Sequence, residues 1–257
     1  MNIFDVFILS MVEGFTEFLP VSSTGHLIIV SKFLGIDTGG FSSSFHIAIQ
    51  LGAILAIVIL YWRSLFLNQA IIYRLLVALT PTLILGFIFY DFIKEVLLQS
   101  QMTVVIMFFL GGLVLILFEW WRAGREEVNL TMAQMPFKSA GFIGLCQAVS
   151  LIPGVSRSAA SILGGLWLGL DRKTVVEFSF LLAVPTMAAA TGWDLIQSSA
   201  DFSADEFGLL MLGFIFSLGF SLLAVKFLLI YIEKYSFIPF GVYRIILAAI
   251  LFLILFI

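Results

Sequence analysis

Six stretches of this chain, residues 45–62, 73–90, 103–121, 174–194, 207–232 and 238–257, are apolar and about 18 to 26 residues long, enough to cross a hydrocarbon layer roughly 30 Å thick as helices. Nothing else in the sequence limits the fold so tightly, because in lipid every backbone N–H and C=O must be satisfied within a helix or a closed barrel. Composition agrees: 61% of the 257 residues are hydrophobic and 11% are charged, against about 25% charged in soluble domains. The expected fold class is an all-α, multi-pass integral membrane protein. A formal net charge of −3 argues against nucleic acid as a partner. The single cysteine, Cys146, cannot form an internal disulfide and has no neighbouring cysteine at metal-ligand spacing. No basic leader precedes the first apolar run, which Glu13 interrupts, so a cleaved signal peptide is not expected.

Four shorter apolar runs, 3–19, 23–35, 139–152 and 158–170, form two pairs, each broken by a turn that contains a proline. Each pair is expected to be a re-entrant hairpin that dips into the membrane and returns, a layout tolerated where the tip lines a protein cavity. The pairs also resemble each other: Phe18-Leu19-Pro20-Val21-Ser22-Ser23-Thr24 leads to Leu34-Gly35, and Leu151-Ile152-Pro153-Gly154-Val155-Ser156-Arg157-Ser158 leads to Leu168-Gly169, offset by 133 or 134 residues. The expected organisation is one membrane domain of two repeats, 1–121 with hairpin 3–35 and 139–257 with hairpin 139–170. Three spans follow each hairpin. Three is odd, so the second repeat enters the membrane in the opposite sense, as an inverted repeat. Chance likeness between apolar segments is the competing reading.

Basic residues orient the chain. Arg63 and Arg74 flank one connection, Arg122, Arg125 and Lys138 lie in a second, Arg172 and Lys173 in a third and Lys234 in a fourth, so these face the cytoplasm by the positive-inside rule. The other face receives Asp37, Asp91, Asp194, Asp201, Asp205 and Glu206, with both chain ends. The first hairpin then enters from outside and the second from the cytoplasm.

Against this apolar background, residues 13–26 gather two carboxylates, three hydroxyls and a histidine. Ionisable groups at this depth are costly and mark function. Glu13 and Glu17 share one helix face, where two like charges repel unless a proton or cation lies between them. They read as half of a metal site. Pro20 stops the helix, and Ser22, Ser23 and Thr24 are N-cap candidates for a new helix whose free N–H groups favour an anion. At least one of the two serines is expected to cap. In the second tip, Arg157 stands at a helix start beside Ser156 and Ser158, and a guanidinium can grip phosphate with two parallel hydrogen bonds. A plainer role for Arg157, pairing with Glu13 or Glu17 to hold the hairpins together, also places it beside the carboxylates.

His26 follows the serines by about one turn and is a candidate nucleophile or general acid-base; a serine hydroxyl activated by His26 is the alternative. Gln50 and Glu177 occupy comparable places after the two hairpins and are expected either to line the cavity or to bond between helices. Glu119, Lys226 and Arg244 lie near span ends and can snorkel. His46 has no polar neighbours in sequence and reads as packed or interfacial.

EGFTEFLPVSSTGH at 13–26, PGVSRS at 153–158, EFSFLLAVP at 177–185 and SFIPFGVYR at 236–244 closely resemble the undecaprenyl-diphosphate phosphatase, or bacitracin-resistance, family, in the same order and over essentially the whole chain. The resemblance implies a bacterial plasma-membrane enzyme that hydrolyses undecaprenyl diphosphate to undecaprenyl phosphate and inorganic phosphate, recycling the lipid carrier for cell-wall synthesis. It implies a long-chain polyprenyl diphosphate as substrate and a divalent cation, Mg²⁺ or Ca²⁺, as cofactor. The active site is implied at the outer face. Catalytic roles are implied for Glu13, Glu17, Ser23, His26 and Arg157, with Glu13 and Glu17 on the metal. Phosphate contacts are expected from Ser22, Ser23, Thr24, Ser156, Arg157, Ser158 and Gln50. A homodimer is left open. Two positions depart from the family: Ala159 stands where glycine is common, so a helical φ is expected there, and His46 replaces an aliphatic residue.

A secondary transporter or lipid flippase is the main alternative, because inverted repeats of broken helices are common among transporters. An enzyme needs a nucleophile; a carrier needs only binding groups.

Overall fold

A computed structural model describes residues 1–36, 41–97, 100–197 and 203–256. Asp37 and Asp201, both assigned above to the outer face, lie outside the described residues. The chain folds into helices α1 (Ile3–Thr16), α2 (Ser23–Phe33), α3 (Phe41–Phe66), α4 (Gln69–Ile88), α5 (Tyr90–Phe92), α6 (Gln101–Arg122), α7 (Phe137–Ala148), α8 (Arg157–Trp167), α9 (Arg172–Gln197), α10 (Ala204–Ile232) and α11 (Ile238–Phe256). Six helices, α3, α4, α6, α9, α10 and α11, are long and apolar enough to cross a membrane. They coincide with the six stretches read from hydropathy. The four shorter apolar runs appear as α1, α2, α7 and α8, in two pairs interrupted where the sequence places its prolines.

Local chemistry explains the boundaries. Asn2 caps α1 by accepting from the Asp5 N–H at 3.0 Å, and Asp5 Oδ2 accepts from the Asn2 N–H at 2.8 Å, a reciprocal capping box. Ser203 and Glu206 repeat the device at α10. Helices α2 and α8 end alike. Gly35 and Gly169 take φ values of +65° and +80°, and the next N–H closes back on Ser31 O at 2.9 Å and on Gly165 O at 3.3 Å. Glycine enters this left-handed cap without the clash a Cβ would cause.

Close helix contacts carry the packing. Gly112 of α6 faces Gly241 of α11 so tightly that a Cβ on either would lie 2.6 or 2.7 Å from the carbonyl oxygen of the other. Ser217 and Ser221 of α10 donate to Ile49 O of α3 at 2.6 Å and to Gly14 O of α1 at 3.2 Å. These hydroxyls join helices where apolar side chains alone gain little over lipid. The largest apolar cluster, including Phe18, Ile57, Phe178, Phe180 and Leu181, lies between α3, α4, α8 and α9, directly behind the first tip.

Two span-end residues do not snorkel. Glu119 is 6% exposed and holds Arg172 through two bonds of 2.7 Å while accepting from the Phe237 N–H at 3.0 Å. Arg244 is fully buried. Both find partners on neighbouring elements, which satisfies them better than a reach to the interface. Lys226 is exposed, in keeping with its reading.

Candidate active site

The segments between α1 and α2 and between α7 and α8 meet around a cavity of about 140 Å³. Glu17, Ser22, Ser23, Thr24, Gln50, Ser156 and Arg157 line it, together with Ser150, Pro153, Gly154, Val155 and Met187. Seven of the ten residues proposed from sequence therefore share one wall. The tips are tied directly: Arg157 Nη2 donates to Glu17 Oε1 at 3.0 Å, and Ser158 Oγ donates to Leu19 O at 2.8 Å. Ser158 thus serves the junction and does not line the cavity.

Arg157 does more than form an ion pair. Its Nη1 donates to Ser179 O of α9 at 2.9 Å, and its Nε is buried without a hydrogen-bond partner. The guanidinium is held on two sides and keeps a donor in reserve.

Glu17 is shared. Its second oxygen accepts from Ser23 Oγ at 2.6 Å, the short distance of a charge-assisted bond. That bond corrects the capping expectation. Ser23 is the first residue of α2, its hydroxyl is drawn to the carboxylate, and Ser22 at the N-cap position makes no side-chain cap because its φ is +66°. Among the described residues Ser22 is the only non-glycine whose φ lies in the left-handed range, a conformation that persists where surroundings enforce it. In the second tip the N-cap is satisfied: Ser156 Oγ accepts from the Ala159 N–H at 3.2 Å. Ala159 is helical, as expected.

Glu13 is 1% exposed, and neither carboxylate oxygen has a hydrogen-bond partner. Buried carboxylates are paired, protonated or bound to metal. A hard divalent cation fits these residues, because Glu13 offers two free oxygens one helical turn from Glu17 and hydroxyls lie close by. Among the described residues no group of three or more His, Cys, Asp or Glu side chains could hold a metal. The remaining ligands would then be hydroxyls, water or substrate phosphate, which is how Mg²⁺ is commonly held.

His26 lies beside the cavity without lining it. Its Nδ1 is 2.8 Å from Ser22 O and its Nε2 is 2.6 Å from Tyr243 Oη of α11. Gln50 reaches the cavity, whereas Glu177 accepts from Tyr61 Oη at 3.4 Å and does not line it. His46 is partly buried, as read, with Nε2 unpartnered.

Tyr243 and Arg244 were not recognised as part of the site from sequence. The available signal was an arginine six residues into an apolar span with no acidic residue near it, which at that depth marks a functional position.

The chain matches the profile of the bacitracin resistance protein BacA family over residues 6–250. It is 48% identical over 253 residues to an undecaprenyl-diphosphatase of Persephonella marina, covering 98% of this chain and 99% of that one. An undecaprenyl-diphosphatase of Sulfurihydrogenibium sp. is 46% identical, with the same coverage. One from Wolinella succinogenes is 47% identical over 250 residues, 97% of each chain.

Proposed function

The chain belongs to the bacitracin resistance protein family, and on that footing we propose that it hydrolyses undecaprenyl diphosphate to undecaprenyl phosphate and inorganic phosphate, recycling the lipid carrier and conferring bacitracin resistance. It is a multi-pass membrane protein. The single observation that carries the mechanism is the convergence of Ser23, Glu17 and Arg157 on one cavity.

Arg157, anchored by Ser179 and Glu17, would grip the terminal phosphate with the part of its guanidinium that lines the cavity and stabilise charge that develops there. Ser156, Thr24 and Gln50 would orient the phosphate oxygens. Ser23 is the better nucleophile of the two candidates, because its hydroxyl lines the cavity and already donates to Glu17, whereas both ring nitrogens of His26 are engaged. Attack by Ser23 Oγ on the terminal phosphorus passes its proton to Glu17 and breaks the bond to the bridging oxygen, which takes that proton from Glu17 as it leaves with the polyprenyl monophosphate. Water then cleaves the phosphoserine: Glu17, again a carboxylate, takes a proton from that water and returns it to Ser23 Oγ as phosphate departs. Glu13 and Glu17 would hold a divalent cation, which when bound would neutralise the diphosphate and polarise the reacting phosphoryl group.

The architecture beneath this site is proposed to be an inverted repeat of two re-entrant hairpins. Its support is local: N-cap Ser22 matches Ser156 and cap Gly35 matches Gly169, both 134 residues on, and α2 and α8 each contain 11 residues. The site is proposed to face the exterior of a bacterial plasma membrane. Repeats of broken helices also suit a transporter, and one assay separates the readings. Purified protein with a long-chain polyprenyl diphosphate and Mg²⁺ should release phosphate, and Glu17→Ala should not; substrate binding without phosphate release would leave only the carrier.

A further inference from the structure

Two adjacent residues of α11, Tyr243 and Arg244, reach both hairpin tips, yet neither lines the cavity. The Arg244 guanidinium donates to four backbone carbonyls: Gly154 at 2.8 Å, Met107 at 2.9 Å, Pro20 at 3.3 Å and Phe108 at 3.4 Å. Pro20 belongs to the first tip and Gly154 to the second, so one side chain binds the two together, while Met107 and Phe108 fix it to α6. Among the described residues no carboxylate forms a salt bridge with Arg244. Its donors are committed to shape.

Tyr243 acts on the adjoining turn. A carbonyl oxygen only accepts, so the 2.8 Å contact between His26 Nδ1 and Ser22 O requires the proton on Nδ1. In the neutral ring Nε2 then accepts, and Tyr243 Oη at 2.6 Å is its donor. The phenol and imidazole rings lie nearly parallel, 10° apart with centroids 5.5 Å apart. The chain of bonds therefore runs from Tyr243 through His26 to the carbonyl of Ser22, the residue held at φ +66°, whose side chain lines the cavity beside that of Ser23.

We infer that Tyr243 and Arg244 are positioning residues for the phosphatase site: Arg244 sets the two tips against each other, and Tyr243 locks His26 as a strut that holds the Ser22 backbone and so aims Ser23. His26 then serves geometry, and its loss would lower turnover without its ever forming a bond to phosphorus. This rests on the phosphatase reading, but part of its test does not.

The chain has two histidines, so His46→Gln leaves His26 alone, and nitrogen-15 labelling of histidine reads its tautomer directly by NMR. The parent should show the Nδ1–H form. Tyr243→Phe removes one oxygen and should release the ring to a mixed or Nε2–H population. In the same variant kcat should fall about 10²-fold while KM stays within about twofold, the pattern of a misaimed catalytic group that still binds substrate. Arg244→Lys, which cannot span carbonyls on three elements, should also lower kcat with KM retained, in protein still monodisperse by gel filtration. An unchanged tautomer in Tyr243→Phe, or unchanged kcat in either variant, overturns the inference. If the unmodified protein releases no phosphate, the phosphatase reading fails, while the tautomer comparison still reports whether Tyr243 locks His26.

Discussion

Arg157 and Glu17 stand 140 positions apart in sequence and 3.0 Å apart in space, joined from Nη2 to Oε1. That contact closes the seam between the hairpins and places a cation, a carboxylate and a hydroxyl on one wall. The ion pair read from sequence exists, and the guanidinium also lines the cavity, the position that a grip on phosphate requires. Arg157→Lys separates them. An ammonium can keep the contact with Glu17, but its donors radiate from one nitrogen and cannot reproduce the planar fork that spans Glu17, Ser179 O and a phosphate. Turnover should fall by the equivalent of roughly 2 to 4 kcal/mol of transition-state binding, as for loss of one preorganised donor. Retention of most activity in the lysine variant would leave Arg157 a structural ion pair only.

Glu13 pits stability against function. A buried carboxylate with no partner costs folding free energy, and a neutral amide of the same shape removes that cost. Glu13→Gln should therefore raise the melting temperature of metal-free protein while lowering turnover by about 10² or more, a few kcal/mol of transition-state stabilisation. Chelator should abolish the turnover of unmodified protein, and Mg²⁺ or Ca²⁺ should restore it. Added Mg²⁺ should raise the melting temperature of unmodified protein and leave that of Glu13→Gln unmoved. Full activity in excess chelator after prior metal removal would exclude the cation.

Ser22 tests whether its backbone is strained. At φ +66° glycine is tolerated and alanine is not, so Ser22→Gly should be more stable than Ser22→Ala by about 1 kcal/mol. Thermal unfolding of the two variants in detergent gives the comparison. Both lack the hydroxyl, so the difference between them isolates the backbone.

Hydropathy sufficed for the six spans because their length and apolar character are what lipid demands. The two tips were equally legible, since carboxylates, hydroxyls and an arginine in such surroundings stand out. What escaped the sequence was the identity of the partners. Arg244 bonds to backbone carbonyls, which every residue carries and no pattern marks. Glu119 and Arg172 pair across 53 positions, and either alone reads as an ordinary span-end charge. Ser23 looked like a cap because serine at that spacing usually is one; the carboxylate of Glu17, six residues back at the C-cap of α1, competed for its hydroxyl and won. Glu177, placed like Gln50, bonds instead to Tyr61, whose backbone leaves helical geometry at φ −122° within α3.

The side of the membrane on which phosphate is proposed to leave rests on the basic residues of the connections. Arg63, Arg74, Arg122, Arg125, Lys138, Arg172, Lys173 and Lys234 fall on alternate connections, so the orientation proposed from the positive-inside rule has 63–73 and 122–138 in the cytoplasm and 36–44 and 195–206 outside. The structure adds a reason for the charges to stay put, since Arg122 donates to Glu127 at 2.8 Å and Arg172 to Glu119 at 2.7 Å, locking that end of the bundle. In the proposed inverted repeat, with three spans between the hairpins, the first tip would approach the cavity from outside and the second from within. Phosphate would then leave through the outer half of the membrane. Single cysteines at Ser43, Gln69, Glu126 and Ser203, in a Cys146→Ser background, read this directly; Glu126 is chosen because its neighbour Glu127 is held by Arg122, and all four positions are exposed. Ser43→Cys and Ser203→Cys should react with an impermeant maleimide on intact cells. Gln69→Cys and Glu126→Cys should react only after lysis. Labelling of Ser43→Cys and Ser203→Cys from opposite sides would break the odd count of crossings on which the inverted repeat depends, and the outward-facing cavity would fall with it.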